Sequence, residues 1–412
     1  MHDLSKPATT TASEWRLGWT LLVTSLLGVA ISTAHIASMG VMIGDIEAEF
    51  GWSRSQITSG LALVSVISVV LAPFVGMLID WKGPRVIGLI GIFVYGAALA
   101  ALAAIGPQIW LWWAGFVGIA AGSLFVKPTV WTAAVSVRFV RHRGFALAIV
   151  LSGAGLGSAL WPVTAAYLTE HYGWRIAYLG LSAIVVGTML PLVLFFFHDG
   201  REAKGQAARA PLAHDPSAPS VREALLSFTF LRMATATLLT TGAIYSAQVH
   251  FAPIMMSMGG DRETAALVTG MFGISAIVAR LVVGFLLDHF SSSLVGGVAM
   301  AFPVPACLLM LRYDGDNTIL AVLAAAMFGL ALGAVVDVIA FLTARNFGLK
   351  IYGTVFGTLA GLLSLGAGMG PQLASILYDA THGYHLQLWL LMPISAIGAL
   401  AIATMPKQRP GH

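Results

Sequence analysis

Twelve stretches of predominantly apolar residues run along this chain, at approximately 17–43, 56–79, 85–106, 109–136, 145–169, 174–197, 226–256, 264–287, 293–311, 317–342, 352–378 and 386–405. About 20 such residues, rising about 1.5 Å each, cross the roughly 30 Å hydrocarbon core of a bilayer. A chain built this way is expected to be a polytopic membrane protein, all-α, with twelve transmembrane helices. Its composition points the same way: 58% of the 412 residues are hydrophobic and only 10% are charged, against about 25% charged in a soluble domain. The single cysteine, Cys307, excludes an internal disulfide framework and a cysteine zinc cluster. The polar first sixteen residues lead into the first apolar segment without a small-residue cleavage site, so they read as a short cytoplasmic tail rather than a signal peptide.

Between the sixth and seventh segments lies HDGREAKGQAARAPLAHDPSAPSVRE, rich in Ala, Pro and charge, which reads as a linker. The expected plan is therefore an N-terminal six-helix bundle over 1–197, a cytoplasmic linker over 198–225 and a C-terminal six-helix bundle over 226–412. Positive charge sets orientation, because Lys and Arg loops stay cytoplasmic. Of the 22 Lys and Arg, Arg54, Arg175, Arg262 and Arg312 fall on one set of loops and Lys127, Arg232 and Arg280 lie in or near spans; the remaining fifteen fall on the other set. Both termini are thus expected on the cytoplasmic side of the cell inner membrane. The net charge of +4 reflects this topology and leaves no basic domain for nucleic acid.

The halves echo one another. GMLIDWKGPR (76–85) is matched by GFLLDHFSSS (284–293), each with Gly-x-x-x-Asp, and GAGLGSALWP (153–162) is matched by GAGMGP (366–371) at an offset of 213. Parallel repeats of this kind are the plan of a transporter whose site lies between the halves near the midplane. Glycines at these spacings also serve close helix packing, which accounts for each of them singly but not for their repetition.

These residues resemble the major facilitator superfamily over nearly the whole chain. Gly76, Asp80, Gly83 and Arg85 match its loop signature between the second and third helices, and Gly284 with Asp288 forms a weaker copy. FGWSRSQ (50–56), the Arg-x-x-x-Gly-x-x-x-Asp of 280–288 and FGLKIYGTVFG (347–357) resemble the branch of monocarboxylate transporters and oxalate/formate exchangers. The resemblance implies two bundles related by a parallel pseudo-two-fold and a small organic anion as substrate. Animal monocarboxylate transporters carry an acidic residue where this chain has Ala276 and a lysine in the first span, where only His35 can titrate; the lysine of oxalate exchangers in the eleventh span has no counterpart.

A charge at the bilayer centre costs about 2.5 to 3.5 kcal/mol on insertion scales, so it faces a partner or a wet cavity. Arg280 lies eight residues before Asp288, about 12 Å from the end of its helix. Its planar fork suits a carboxylate, either a substrate's or that of Asp337. Asp337 stands eight residues before Arg345, so the two are expected at equal depth, and an anion binding Arg280 would free Asp337 to take a proton. Lys127 sits mid-span with Ser123 and Trp131 one turn away, and its partner is either the substrate or Asp337. His35, Tyr245 and Gln248 are further candidates for substrate contact, with His250 near the outer mouth. Asp80, Arg85, Arg143 and Asp288 are expected at the cytoplasmic face as a conformational latch.

No phosphate-binding loop, no His-Glu-x-x-His site and no nucleophile elbow occurs, so neither an ATP-driven pump nor an enzyme is indicated and no cofactor is expected. The expected function is secondary transport of a small organic monocarboxylate, proton-coupled and working by alternating access, with the monomer as the working unit. An organic dianion exchanger and a ligand-binding membrane sensor are the alternatives.

Overall fold

The computed structural model describes residues 11–139, 142–198 and 220–405, and every regular element among them is a helix. Helices α1 (Thr11–Ile31), α2 (Ala34–Ala37) and α3 (Met39–Phe50) make the first span, α4 (Arg54–Lys82) the second and α5 (Pro84–Leu102) the third. The fourth is α6 (Ile109–Phe125) with α7 (Pro128–Arg138). Helix α8 (Arg143–Leu151) and the start of α9 (Gly153–Phe196) form the fifth; the rest of α9, beyond a break at Gly173, forms the sixth. The second half runs through α10 (Val221–Leu226), α11 (Phe228–Ser257), α12 (Arg262–His289), α13 (Ser292–Ala301), α14 (Pro303–Met310), α15 (Thr318–Thr381) and α16 (His385–Ala403). Helix α15 is likewise two spans, joined at Gly348 with φ 72°. At both joints a positive φ makes glycine the residue of least strain.

Most of the expected linker lies outside the described residues. Its last part is helical: α10 begins with a capping box in which the Ser220 side chain accepts from Glu223 N–H at 3.2 Å and Glu223 Oε2 accepts from Ser220 N–H at 2.9 Å.

The first and fourth spans are among those that break where the sequence supplies alternative hydrogen bonds. After α1, the hydroxyls of Ser32 and Thr33 donate back to Val29 O at 2.7 Å and Ala30 O at 2.9 Å, and Ser38 donates to Ala34 O at 2.6 Å. His35 therefore sits on a single short turn. In the fourth span Pro128 opens α7 and Lys127 is its extended N-cap. The Val126 carbonyl accepts from the Trp131 indole N–H at 2.8 Å.

The glycine repeats build the interface symmetrically. A Cβ on Gly153 or Gly157 would lie 2.1 Å from Leu26 O or 2.3 Å from Ala30 O in the first span, whereas one on Gly155 would meet Gly273 O of the other half at 2.7 Å. At the offset of 213, Gly366 and Gly370 face Gly242 in the seventh span, and Gly368 faces Leu61 O and Ser65 across the halves. Each triplet thus uses its outer glycines within its own bundle and its middle glycine between bundles, bringing helix backbones into direct contact.

The halves meet closely on the face away from the linker. Gly40 lies under Val249 and Pro253, Arg262 pairs with Asp45 at 2.9 Å, and Thr58 Oγ1 donates to Gln372 Oε1 at 2.9 Å. Toward the linker, α4 and α15 diverge: a Cβ on Gly361 would still reach Val69 at 3.7 Å, but one on Gly357, Gly353 or Gly76 would meet none of the described residues within 4 Å.

Candidate functional site

Close helix approach creates the central charge pair. Gly333 of α15 faces Ala276 of α12 so tightly that a Cβ there would lie 2.1 Å from Ala276 O. One helical turn further on each chain direction stand Asp337 and Arg280, and their side chains meet with Arg280 Nη1 3.6 Å from Asp337 Oδ1. At that distance the attraction is chiefly Coulombic rather than a formed hydrogen bond. Arg280 keeps N–H donors for another partner.

A cavity of about 190 Å³ opens beside the pair, between the bundles. Arg280, Tyr245 and Thr241 line it from the second half; Thr33, Ser152 and Ser158 line it from the first. Apart from Ser364 the rest of its wall is apolar, with small residues such as Gly155, Ala154, Ala276 and Ala367 beside larger aliphatic ones. One guanidinium, a few hydroxyls and an apolar surround form a setting in which a compact anion can exchange its water for an arginine fork. The Arg280 charge also bears on Tyr245, one helix away.

The other expected residues fall in distinct places. Gln248 continues the Thr241–Tyr245 face of α11 toward the sealed side; it is 2% exposed and its Oε1 has no hydrogen-bond partner among the described residues. His35 lies in the first half, its Nδ1 2.9 Å from Tyr95 Oη. No carboxylate among the described residues pairs with Lys127. Trp131 does not reach the cavity: it is wholly buried, filling the space left by Gly28 and Gly88 and meeting Phe197 edge-on. The extended backbone at Lys127 turns the two residues away from the shared face that helical counting predicts.

At the linker face, Arg85 donates to Leu194 O at 2.6 Å within its own half, and Arg143 is exposed. The Asp80 and Asp288 side chains lie outside the described residues. The polar cluster that sequence reading did not assemble is on the opposite face, where Arg54, Asp379, Tyr384 and His250 converge. FGWSRSQ and His250 were its signals, but Asp379 and Tyr384, which Arg54 meets, are more than 300 residues away from it.

The Major Facilitator Superfamily model matches residues 24–371. Among curated proteins, the chain is 25% identical to monocarboxylate transporter 13 of Bos taurus, covering 94% of this chain and 89% of the relative. It is 24% identical to a gallate transporter of Pseudomonas putida, covering 87% and 88%. Among solved structures, a D-xylose–proton symporter superposes with a TM-score of 0.73 at 14% identity, covering 95% and 98%. A bacterial homologue of the human lysosomal transporter Spinster gives 0.65 at 14% identity, covering 96% and 94%. The relatives are transporters, not enzymes. With twelve spans in two matched halves around a charged cavity, the chain belongs to the Major Facilitator Superfamily and is similar to its monocarboxylate transporters.

Proposed function

We propose that this protein carries a small organic monocarboxylate across the cell inner membrane together with a proton, by alternating access. The observation that carries this reading is the Arg280 guanidinium in the cavity between the bundles, 3.6 Å from Asp337. An incoming carboxylate competes with Asp337 for the fork, and Asp337, losing its counter-ion, takes a proton. Tyr245 lines this cavity from α11, and Gln248, His35 and Lys127, outside its present lining, serve the substrate path beyond it. The linker and both termini lie in the cytoplasm on the distribution of Lys and Arg, which makes this conformation open inward. Asp80, Arg85, Arg143 and Asp288 close that face when the bundles rock.

One proton moving with one monoanion transfers no net charge. Uptake into proteoliposomes clamped with valinomycin should follow the pH gradient and ignore voltage; moving an uncompensated charge would instead respond by about 2.3 kcal/mol per 100 mV. Voltage-driven uptake indifferent to pH would refute symport. Lys127, a second cation without a carboxylate partner among the described residues, favours one other reading, exchange of organic dianions. Counterflow that persists without any pH dependence would identify it.

A further inference from the structure

The seal away from the linker contains charged groups that take no part in the Arg280 cavity. Asp379, near the end of α15, sets its carboxylate over the first turn of α4 in the other half: Oδ1 accepts from Arg54 N–H at 3.1 Å and Oδ2 from Ser55 N–H at 3.0 Å. The first N–H groups of a helix lack intrahelical acceptors, and the positive end of the helix dipole favours an anion there. Helix α4 already has a complete capping box from Ser53 and Gln56, so the carboxylate of Asp379 is a tie between bundles added to a finished cap.

Arg54 makes a second tie. Its Nε donates to Glu47 Oε2 at 3.0 Å in its own half, its Nη1 donates to Tyr384 Oη in the other, and its guanidinium lies 3.8 Å from the centre of the Tyr378 ring. Tyr384 Oη is 3.2 Å from His250 Nδ1, and His250 Nε2 is 3.0 Å from Pro371 O and 3.2 Å from Ser375 Oγ. A carbonyl only accepts, so Nε2 carries a proton; in the neutral ring Nδ1 then accepts from Tyr384 O–H, and Tyr384 Oη accepts from Arg54. The series of donors runs from one bundle into the other with its direction fixed at each link. Glu47 is 37% exposed and Arg54 14%, so the cluster is at a rim where water can take over its bonds when it parts.

We infer that Asp379 and Arg54 form a latch that shuts the linker-distal mouth of the central cavity, and that its release exposes Arg280 on that side. The contrast between the faces supports this: charged ties join the halves where they are closed, while α4 and α15 separate beyond Val69 and Gly361 on the other face.

The latch is testable without a ligand, so its failure is separate from any failure of the substrate reading. Spin labels go at Gln108 and Asp316, exposed residues in loops of the sealed face, in a Cys307→Ala background that removes the only native cysteine. Electron–electron double resonance on the parent protein should give mainly one short separation. Asp379→Asn should raise the ratio of long to short separations about tenfold, the effect of losing a charged hydrogen-bond acceptor. Tyr384→Phe, which keeps the ring under Arg54, should raise it about threefold. An unchanged distribution in folded Asp379→Asn overturns the latch; if that variant does not fold, an unchanged distribution in Tyr384→Phe overturns it equally.

Discussion

Arg280 is permanently charged and holds Asp337 only at 3.6 Å, which leaves the guanidinium both neutralised and available. Replacement of the arginine should therefore do two things at once. Arg280→Ala removes the proposed anion site and strands Asp337 in a poorly hydrated place, so binding of the best organic acid in a thermal-shift panel should vanish. Arg280→Lys keeps the charge but loses the planar fork, and affinity should fall about tenfold to a hundredfold, the range for charge-assisted hydrogen bonds. Equal stabilisation of wild type and Arg280→Ala by the same acid would remove this residue from the site. Asp337→Asn separates binding from coupling: the fork loses its internal competitor, so the acid should still stabilise the protein, while uptake driven by a pH gradient should drop at least about tenfold. Persisting pH-driven uptake in Asp337→Asn would place the proton elsewhere.

Whether those two side chains meet is decided by the helices that carry them. Gly333 and Ala276 let α12 and α15 touch one turn before the pair, and the space left for a Cβ at Gly333 is 2.1 Å from a carbonyl oxygen. Gly333→Val should push the helices apart, costing about 1 to 3 kcal/mol by overpacking, and should weaken acid binding even though no charged group has changed. Unaltered binding and an unaltered denaturation midpoint in detergent would show that the approach is not what positions Arg280. This geometry was legible in the sequence: Arg280 and Asp337 stand at equal intervals before Asp288 and Arg345. Trp131 was not legible, because i to i+4 counting from Lys127 assumes a helix that begins only at Pro128. The linker-distal cluster was hidden for a different reason: Arg54 and Asp379 are 325 residues apart, and only the docking of two bundles makes them neighbours. Periodicity reports which face of one helix is buried and nothing about which other helix covers it.

The whole molecule has one closed and one open face, and this asymmetry makes its conformation measurable. Thr58 is completely buried at the seal, where it donates to Gln372 of the other half. Gly357 lies one turn beyond Gly361, where α15 has left α4, is exposed and has no neighbour among the described residues that a Cβ would touch within 4 Å. In a Cys307→Ala background, Gly357→Cys should react with a membrane-impermeant maleimide at least about tenfold faster than Thr58→Cys, a free-energy difference near 1.4 kcal/mol. A saturating carboxylate that draws the bundles together around Arg280 should slow the reaction at 357 and speed the one at 58, because a rigid-body rocking motion cannot shut one mouth without loosening the other. A ligand can shift this balance only by binding one state more tightly than the other. If the acid changes both rates in the same direction, the two faces do not exchange access, and a protein that binds its ligand without carrying it becomes the better account.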